Sequence, residues 1–509
     1  MKKIISLHVG VNMMFMKEYK ERYAETCVAV LVSAVISFFF LLKSPLHPWI
    51  GSDTTTDSSV FKTVAWMMDK GLMPYKNSFD HKGPLLYIIN WLGNKLSPYR
   101  GVWIIEFLFM MITIVMLYKT ARLVCKKCSS AIVVFTSFSL LYVYFQDGNL
   151  TEEYAMTFIS VALFIFLDYL INSKISNPRL IICGFCLGCT LLLRPNMISV
   201  WVVMCTAILI KTLINKDRAA LRRFIGWFLL GMAIIIVPIM IWLGVNDALE
   251  QCWKDYIIFN QLYTSNEGGV ALFPAKWNSF FTFFNTTVYI MALSSLIFIG
   301  KMRNHFLNIT YIVYMLITLW FMCLSGTTYG HYGMILIPTV TYPLALIFSE
   351  IERIEMKNIS KIIEAIVSIY LLSVIIAPNW MELIETIPST YAVKDIDHKT
   401  EIVKNVTDII TLNTADDESI SVYGNWDIIY ILSNRKHATR YSYQFPVGQI
   451  MPEIMDEYLS QLQDELPCFI VIQRGHYDNT IKDFLNKNKY ELFWSEKEDS
   501  LDGVLIYAR

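Results

Sequence analysis

Long apolar stretches separated by short polar segments run from near the N-terminus to about residue 380. A stretch of about 16–23 apolar residues is long enough to cross the hydrocarbon core of a bilayer as a helix. By this criterion the sequence predicts about eleven membrane spans. They lie near residues 24–45, 101–118, 129–146, 154–171, 179–194, 197–213, 224–245, 279–300, 305–324, 333–349 and 361–378.

Beyond residue 380 the pattern changes to short apolar strands that alternate with helical segments. Residues 419–424 and 467–473 are typical of strands, and each is followed by a segment with helical periodicity. This alternation predicts a small soluble α/β domain over residues 380–509, after a transmembrane domain over residues 1–379. No glycine-rich phosphate loop follows a strand, so we predict no nucleotide site in this domain.

The composition supports a membrane protein. The 509 residues are 55% hydrophobic and only 17% charged, and the mean hydropathy is +0.45. These values are too apolar for a soluble chain of this length and indicate a polytopic membrane protein. Basic and acidic residues are equal in number, 43 of each, so the net charge is zero, and we predict no nucleic-acid partner.

Lysine and arginine are concentrated in alternate loops, such as those at 119–127, 174–179 and 211–223. Because loops rich in these residues stay on the cytoplasmic side, the pattern predicts a cytoplasmic N-terminus for a multi-pass protein of the plasma membrane. The C-terminal domain and the loops of the opposite side are then extracytoplasmic. These external loops lie at residues 46–100, 146–153, 194–197, 246–278 and 325–332.

The ionisable residues that are unusual in so apolar a chain fall in these external loops. Ionisable groups beside the hydrocarbon are costly, so each is a candidate for function. They are Asp53, Asp57, Asp80, His81, Lys82, Asp147, Glu152, Glu153, Arg194 and His331. By contrast, Glu106 lies near the end of a span and is expected to be structural.

Asp57 begins an apolar-periodic helical segment just after the first predicted span. One interpretation is a helix N-cap, a position that aspartate favours. The other is a general base whose carboxylate faces an external cavity. A cap does not account for the charged residues that follow in the same loop, so we favour the general base. Asp53 is then a supporting residue.

The segment Phe79–Tyr87, with the sequence FDHKGPLLY, is the second candidate. Pro84 is suited to the first turn of a helix, where its missing N–H costs nothing. Lys82 would then stand beside a helix N-terminus, and the two together would suit a phosphate. The alternatives are a snorkelling lysine paired with Asp80 and, for His81, an ordinary surface histidine.

An acid shortly after the first span, followed by a D-x-K-(G/P)-P-L-x-Y run, resembles the bacterial polyprenyl-phosphate-sugar transferases of the GT-C fold. This group includes lipid A aminoarabinose transferases, lipopolysaccharide core transferases and, more distantly, protein O-mannosyltransferases. The resemblance covers about residues 20–350 and implies a membrane glycosyltransferase, for hexosyl or pentosyl groups. It would move a sugar from a polyprenyl-phosphate donor in the membrane lipid to a hydroxyl of a glycan, lipid or protein acceptor on the external face, with inversion.

The resemblance also implies roles for individual residues. It makes Asp57, Glu153 and Asp147 the catalytic carboxylates. It assigns the donor phosphate to Lys82, His81, Arg194 and His331. The supporting residues would be Asp53, Asp80, Glu152, Tyr87 and Tyr332.

Simpler interpretations remain for several of these residues. Asp147 and Glu153 flank a tight turn and could only solvate it and cap the next helix, and Arg194 could only satisfy carbonyls at a helix end. A divalent cation, Mg or Mn, on Asp57 and Glu153 is left open. His81, Gly83 and the C-terminal domain depart from the aminoarabinose transferases.

Two other functions fit a membrane protein of this kind. A transporter or flippase for lipid-linked oligosaccharides would carry buried charges at mid-membrane and repeats between its halves. A polysaccharide polymerase would carry an arginine-rich late loop, whereas loop 246–278 contains only Lys254 and Lys276 as basic residues. The aromatic residues of this loop suit either an acceptor groove or an interfacial belt; they are Trp253, Tyr256, Phe259 and Tyr263.

Overall fold

The computed structural model describes residues 2–44, 46, 57–98, 100–145, 148–266, 284–300, 305–324, 329–352, 381, 398–496 and 503–509. Asp53, Asp147 and the predicted span at 361–378 therefore lie outside the described residues. The described chain forms a large helical bundle followed by a small mixed sheet with helices, as the apolar pattern predicted.

Helices dominate the chain up to residue 352. They are α1 (Lys2–Phe40), α2 (Asp57–Asp69), α3 (Pro84–Leu96), α4 (Gly101–Arg122), α5 (Lys127–Tyr144), α6 (Thr151–Asn172), α7 (Asn177–Leu191), α8 (Ser199–Ile214), α9 (Arg218–Val245), α10 (Leu249–Cys252), α11 (Phe259–Asn266), α12 (Asn285–Gly300), α13 (His305–Cys323) and α14 (Leu336–Ile351). A π-helical turn, Trp253–Ile258, joins α10 to α11, and short 3-10 turns cover Leu41–Lys43, Pro195–Met197 and Gly330–Ile335.

The predicted spans and the observed helices agree over the described part of the chain. Each predicted span from 24–45 to 333–349 overlaps one of the helices. Among the described residues, seven helices are long and apolar enough to cross a membrane, and α7 and α8 are shorter apolar helices. The protein is therefore a polytopic helical membrane protein.

Close packing of α7 against α9 depends on glycine. A Cβ on Gly184 would lie 1.9 Å from the carbonyl oxygen of Phe228, and one on Gly231 would lie 2.1 Å from that of Ile181. Both contacts are with the backbone of the facing helix, which cannot move away as a flexible side chain can. Only glycine therefore allows these two helices to approach so closely.

The first predicted external loop contains α2 and α3, which pack as a helical hairpin. Pro84 occupies the first turn of α3, with Gly83 as the N-cap residue. Lys95 near the end of α3 forms an ion pair of 2.6 Å with Asp69 at the end of α2. Apolar residues of both helices, such as Phe61 and Leu86, are buried in the main core. The loop is thus a folded part of the bundle.

The C-terminal domain contains a five-stranded sheet in the order β2-β1-β3-β5-β4. The strands are β1 (Ser419–Tyr423), β2 (Lys436–His437), β3 (Phe469–Gln473), β4 (Glu491–Ser495) and β5 (Val504–Ala508). The helices are α15 (His398–Asn413), α16 (Ile428–Ser433), α17 (Val447–Ile450), α18 (Glu453–Glu465) and α19 (Asn479–Lys487). Strand β1 pairs in parallel with β2 and β3, whereas β5 is antiparallel to β3 and β4.

This domain docks onto the first loop through buried polar contacts. The hydroxyls of Ser59 and Thr63 on α2 each donate to one carboxylate oxygen of Asp427, at 3.0 Å. The hydroxyl of Ser78 lies 3.0 Å from Nε2 of His437. The first loop is consequently held between the helical bundle and the C-terminal domain.

Candidate active site

A cavity of about 840 Å³ lies between the helical bundle and the C-terminal domain. All five predicted external loops and the C-terminal domain contribute to its walls. Its polar and aromatic lining includes Asp57, Asp80, His81, Lys82, Glu152, Arg194, Asn196, Asn260, Gln261, His331, Tyr332 and Tyr443. The loops that the sequence placed on one side of the membrane therefore meet at one cavity.

A close backbone contact brings Lys82 to the end of α7. A Cβ on Gly83 would lie 2.0 Å from the carbonyl oxygen of Leu192. The N–H groups of Gly83 and Leu85 donate to the carbonyls of Leu193 and Leu192, at 3.3 and 3.1 Å. Lys82 and the residue after Leu193 in sequence, Arg194, both line the cavity as a result.

The same hydrogen bonds correct one expectation from the sequence. The first N–H groups of α3 were expected to join Lys82 in binding a phosphate. Pro84 has no N–H, and those of Gly83 and Leu85 are already bound to the end of α7. The cations of the cavity, rather than this helix N-terminus, are therefore the groups suited to an anion.

Arg194 forms an ion pair with Glu152 inside the cavity. Its guanidinium lies 4.3 Å from the centre of the Tyr332 ring, a cation–π contact. Nε2 of His331 is 3.9 Å from Oε1 of Glu152, and the hydroxyl of Thr151 donates to Oε2 at 2.8 Å. Burial opposes the charge of Arg194, but Tyr332 and Glu152 outweigh it and raise the pKa of Arg194. The positive charge of Arg194 is thus partly balanced before any ligand binds.

Asp80, His81 and Lys82 lie in a second, separately connected group. The phenols of Tyr87 and Tyr443 donate to the two carboxylate oxygens of Asp80, both at 2.8 Å. Nδ1 of His81 is 3.4 Å from Asp80 Oδ1, and Nζ of Lys82 is 2.7 Å from His81 Nε2. Burial raises the pKa of Asp80 and, with the charges of Lys82 and Arg194, lowers the pKa of His81 well below its usual value. His81 is therefore a half-buried member of the site, not an ordinary surface histidine.

Asp57 begins α2 and lines the cavity with an exposed side chain. Burial, followed by the negative charges of Asp80 and Asp57, raises the pKa of the Tyr443 phenol well above its usual value. The charge of Asp57 thus acts on Tyr443, a residue of the C-terminal domain that lines the cavity. Its placement suits the proposed base, although the base itself remains a prediction.

Glu153 occupies a different environment from its neighbour Glu152. It is buried, and its Oε2 accepts from the backbone N–H of Asn149 at 2.9 Å. The same N–H donates to Oε1 of Glu106 at 2.6 Å. Of the described carboxylates of this loop, Glu152 lines the cavity. The catalytic role of Glu153 stays a prediction, and Glu106 has the structural place expected of it.

A network around Asn149 was not expected from the sequence. Its backbone is left-handed, with φ of 54°, and its side-chain amide donates to Ser58 at 2.9 Å and to Asn90 at 2.8 Å. Ser58 directly follows Asp57, so Asn149 connects the second external loop to the start of α2. The Gly148–Asn149 pair could have predicted a turn at this position, because these two residue types favour left-handed backbone conformations.

The described residues contain no group of three or more His, Cys, Asp and Glu side chains that could hold a metal ion. Of the suggested ligands, Asp57 lines the cavity, whereas Glu153 is buried with Glu106 and Asn149. These two carboxylates therefore do not fit the suggested Mg or Mn site.

Aromatic residues line part of the cavity. Tyr256 and Tyr263 from the loop after α9 line one side, with Phe259 packed against the ring of His81 at 5.2 Å. Trp253 is 60% exposed. The C-terminal domain adds Tyr443 and further residues of the same domain to the lining, which are Asn425, Phe445, Pro446 and Val447. The C-terminal domain is therefore part of the site, a role that its sequence did not reveal.

Helices that span a membrane, folded external loops and a C-terminal domain around one polar cavity define the GT-C fold. Similar solved structures support this class. ArnT from Cupriavidus metallidurans, bound to undecaprenyl phosphate, has a TM-score of 0.60 and 12% identity, over 95% of this chain and 97% of that chain. Its apo form gives a TM-score of 0.58 and 11% identity, with the same coverage. The apo oligosaccharyltransferase from Archaeoglobus fulgidus gives 0.51 and 12%, over 88% of this chain and 69% of that chain.

The chain belongs to the family described as "Putative competence-induced protein Ccs4 N-terminal domain", whose profile matches residues 16–371. No curated protein matches the chain. At identities of 11–12% the solved structures establish the fold alone.

Proposed function

We propose that the protein is an integral membrane glycosyltransferase that moves a sugar from a polyprenyl-phosphate donor to an acceptor hydroxyl on the external face of the membrane. The main observation in support of this proposal is that one cavity is lined by Lys82, Arg194 and His331 together with the exposed carboxylate of Asp57. Cations and a free carboxylate suit a phosphate leaving group and a nucleophile that must lose a proton. ArnT, which has a similar fold, is known with undecaprenyl phosphate bound.

In the proposed reaction Lys82 and Arg194 bind the donor phosphate. Cleavage of the bond between the anomeric carbon and the phosphate oxygen leaves additional negative charge on the lipid phosphate. Fixed cations stabilise this charge more strongly in the transition state than in the bound donor. Glu152 balances Arg194, whereas Lys82 contacts a neutral imidazole, so Lys82 presents the less compensated charge.

Asp57 acts as the general base in this proposal. An acceptor hydroxyl attacks the anomeric carbon on the face opposite the phosphate, its proton passes to Asp57, and the sugar inverts. Such help from a general base is typically worth about a hundred- to ten-thousand-fold in rate. The residues that line the cavity come mainly from the loops between the spans, which favours a transferase over a flippase.

The test is a deletion strain complemented with wild-type protein or with Asp57→Asn. The deletion is expected to accumulate a polyprenyl-phosphate sugar and to lose one sugar from surface glycans, lipids or proteins, as measured by mass spectrometry. Wild-type protein should restore the sugar and Asp57→Asn should not. Asp69→Asn is the matched control, since Asp69 ends the same helix and pairs with Lys95. Unchanged lipid-linked and surface sugars in the deletion strain would refute the proposal.

A further inference from the structure

A chain of polar contacts runs from the C-terminal domain to the ammonium group of Lys82. The phenol of Tyr443 donates to Oδ1 of Asp80 at 2.8 Å and lies 3.4 Å from Nδ1 of His81. That Nδ1 is also 3.4 Å from Asp80 Oδ1. Nε2 of the same imidazole is 2.7 Å from Nζ of Lys82.

The chemistry of these groups determines the direction of each hydrogen bond. A lysine ammonium can only donate, so Nε2 of His81 must accept from Lys82. The proton of the neutral ring is then on Nδ1, where it faces Asp80 and Tyr443. The lowered pKa of His81, which burial and the charges of Lys82 and Arg194 cause, agrees with a neutral ring. Asp80 and Tyr443 thereby select the tautomer that holds the ammonium.

The surrounding packing holds His81 and the backbone of Lys82 in place. The imidazole stacks on Tyr263 with an interplanar angle of 15°, and the side-chain amide of Asn260 donates to the His81 carbonyl at 2.7 Å. The phenol of Tyr75 donates to the carbonyl of Lys82 at 2.8 Å. With its main chain and the ring fixed, the direction of the lysine side chain follows from the orientation of the imidazole.

We propose that Tyr443 is a positioning residue that acts through Asp80 and His81 to aim the ammonium of Lys82 into the cavity. The docked C-terminal domain therefore controls how strongly the cavity binds a lipid phosphate. This role rests on the proposed function, because Lys82 has to bind the donor phosphate for its orientation to matter.

The test measures binding of undecaprenyl phosphate, the carrier without its sugar, to the purified full-length protein in lipid nanodiscs. Lys82→Met should weaken binding at least tenfold, since it removes a charge-assisted contact. Tyr443→Phe keeps the ring and removes one hydrogen bond, so it should weaken binding about three- to tenfold. Tyr441→Phe should bind as wild type; it is the matched control, because its phenol donates to Glu457 within the same domain, at 2.6 Å.

Two variants of His81 separate positioning from general damage to the fold. Glutamine places an acceptor near the position of Nε2, so His81→Gln should keep most of the affinity. His81→Leu should lose as much affinity as Tyr443→Phe or more. If the role of His81 were purely structural, the hydrogen-bond acceptor of glutamine would not restore the affinity for undecaprenyl phosphate.

The outcomes are distinguishable. If Lys82→Met binds as tightly as wild type, both the phosphate step of the proposed function and the positioning role are wrong. If Lys82→Met weakens binding while Tyr443→Phe and His81→Leu bind as wild type, the positioning role is wrong and the proposed function stands. Equal losses for Tyr443→Phe and Tyr441→Phe would also overturn the positioning role.

Discussion

The two cations Lys82 and Arg194 of the cavity have different partners, and this difference decides how each responds to substitution. Arg194 is paired with the carboxylate of Glu152, whereas Lys82 contacts the uncharged ring of His81. A phosphate that binds both cations must therefore compete with Glu152 for the guanidinium. Under the proposed function the carboxylate of Glu152 would restrain anion binding, while it compensates the charge of the half-buried Arg194.

This balance gives a prediction for Glu152→Gln. The amide can still bond Thr151 but no longer neutralises Arg194, so undecaprenyl phosphate should bind more tightly. The protein should also be less stable, by about 1–3 kcal/mol, since the half-buried guanidinium of Arg194 loses its charged partner. Carrier titration and thermal unfolding measure the two effects. Weaker carrier binding at unchanged stability would contradict this account of the pair.

Much of the site could be predicted residue by residue from the sequence. Charged residues beside apolar spans are rare, which drew attention to Lys82 and Arg194. Neutral residues give no such signal, and Tyr443 reaches the cavity only through the docking of a distant domain. The sequence also did not show whether Glu152 or Glu153 faces the cavity, because the side chains of adjacent helical residues point about 100° apart. Only the packing of α6 decides which of them faces the cavity.

At the scale of elements, the attachment of α3 to the end of α7 brings the cations together. Gly83 permits the contact because a Cβ would lie 2.0 Å from a backbone oxygen. A side chain there would push the start of α3 away from α7. The distance between Lys82 and Arg194 should therefore depend on a residue that has no functional group.

Gly83→Ala tests this dependence. The variant should lose carrier binding about as severely as Lys82→Met, and it should unfold at a lower temperature, because backbone atoms have to move. Gly226→Ala in α9 is the control, since nothing lies within 4 Å of a Cβ at that position. Equal carrier affinity in the Gly83 variant and its control would show that the contact does not position the site.

The membrane helices were predictable because a bilayer demands long apolar segments with internal hydrogen bonds. The small domain was harder to derive. Its strands β1 and β3 are apolar runs and were found, whereas α18 is mainly polar and buries only Ile454, Tyr458 and Leu462. The two-residue strand β2 is too short for any pattern. An element is thus easier to predict from local sequence when it buries more apolar surface.

At the scale of the whole molecule, docking of the C-terminal domain depends on buried polar groups. Arg440 of this domain pairs with Asp255 of the bundle at 2.6 Å, and both side chains are buried. Asp427 accepts from Ser59 and Thr63 on α2. Such contacts are specific. They are also sensitive to protonation, because the charged form of a buried group is unfavourable unless it is paired.

His437 makes this docking dependent on pH. Burial lowers the pKa of His437 to about 4. Because the folded-state pKa lies below the unfolded value of about 6.5, stability is present above pH 6.5 and is lost as the pH falls toward 4. At pH 5 the loss should be about 2 kcal/mol, seen as a lower unfolding temperature than at pH 7.5.

His437→Gln provides the check on this prediction. Glutamine keeps a polar partner for Ser78 and does not titrate, so the difference in unfolding temperature between pH 7.5 and pH 5 should become smaller. An identical pH response in wild type and variant would assign the effect to other groups.

The cavity wall at Asn425–Val447 lies beyond residues 16–371, the part of the chain that defines the family. Relatives that share the membrane half while differing in their tails would therefore present a different surface to whatever enters the chamber. Substrate choice could then diverge among them through exchange of the tail alone, with the lipid-handling helices left unchanged.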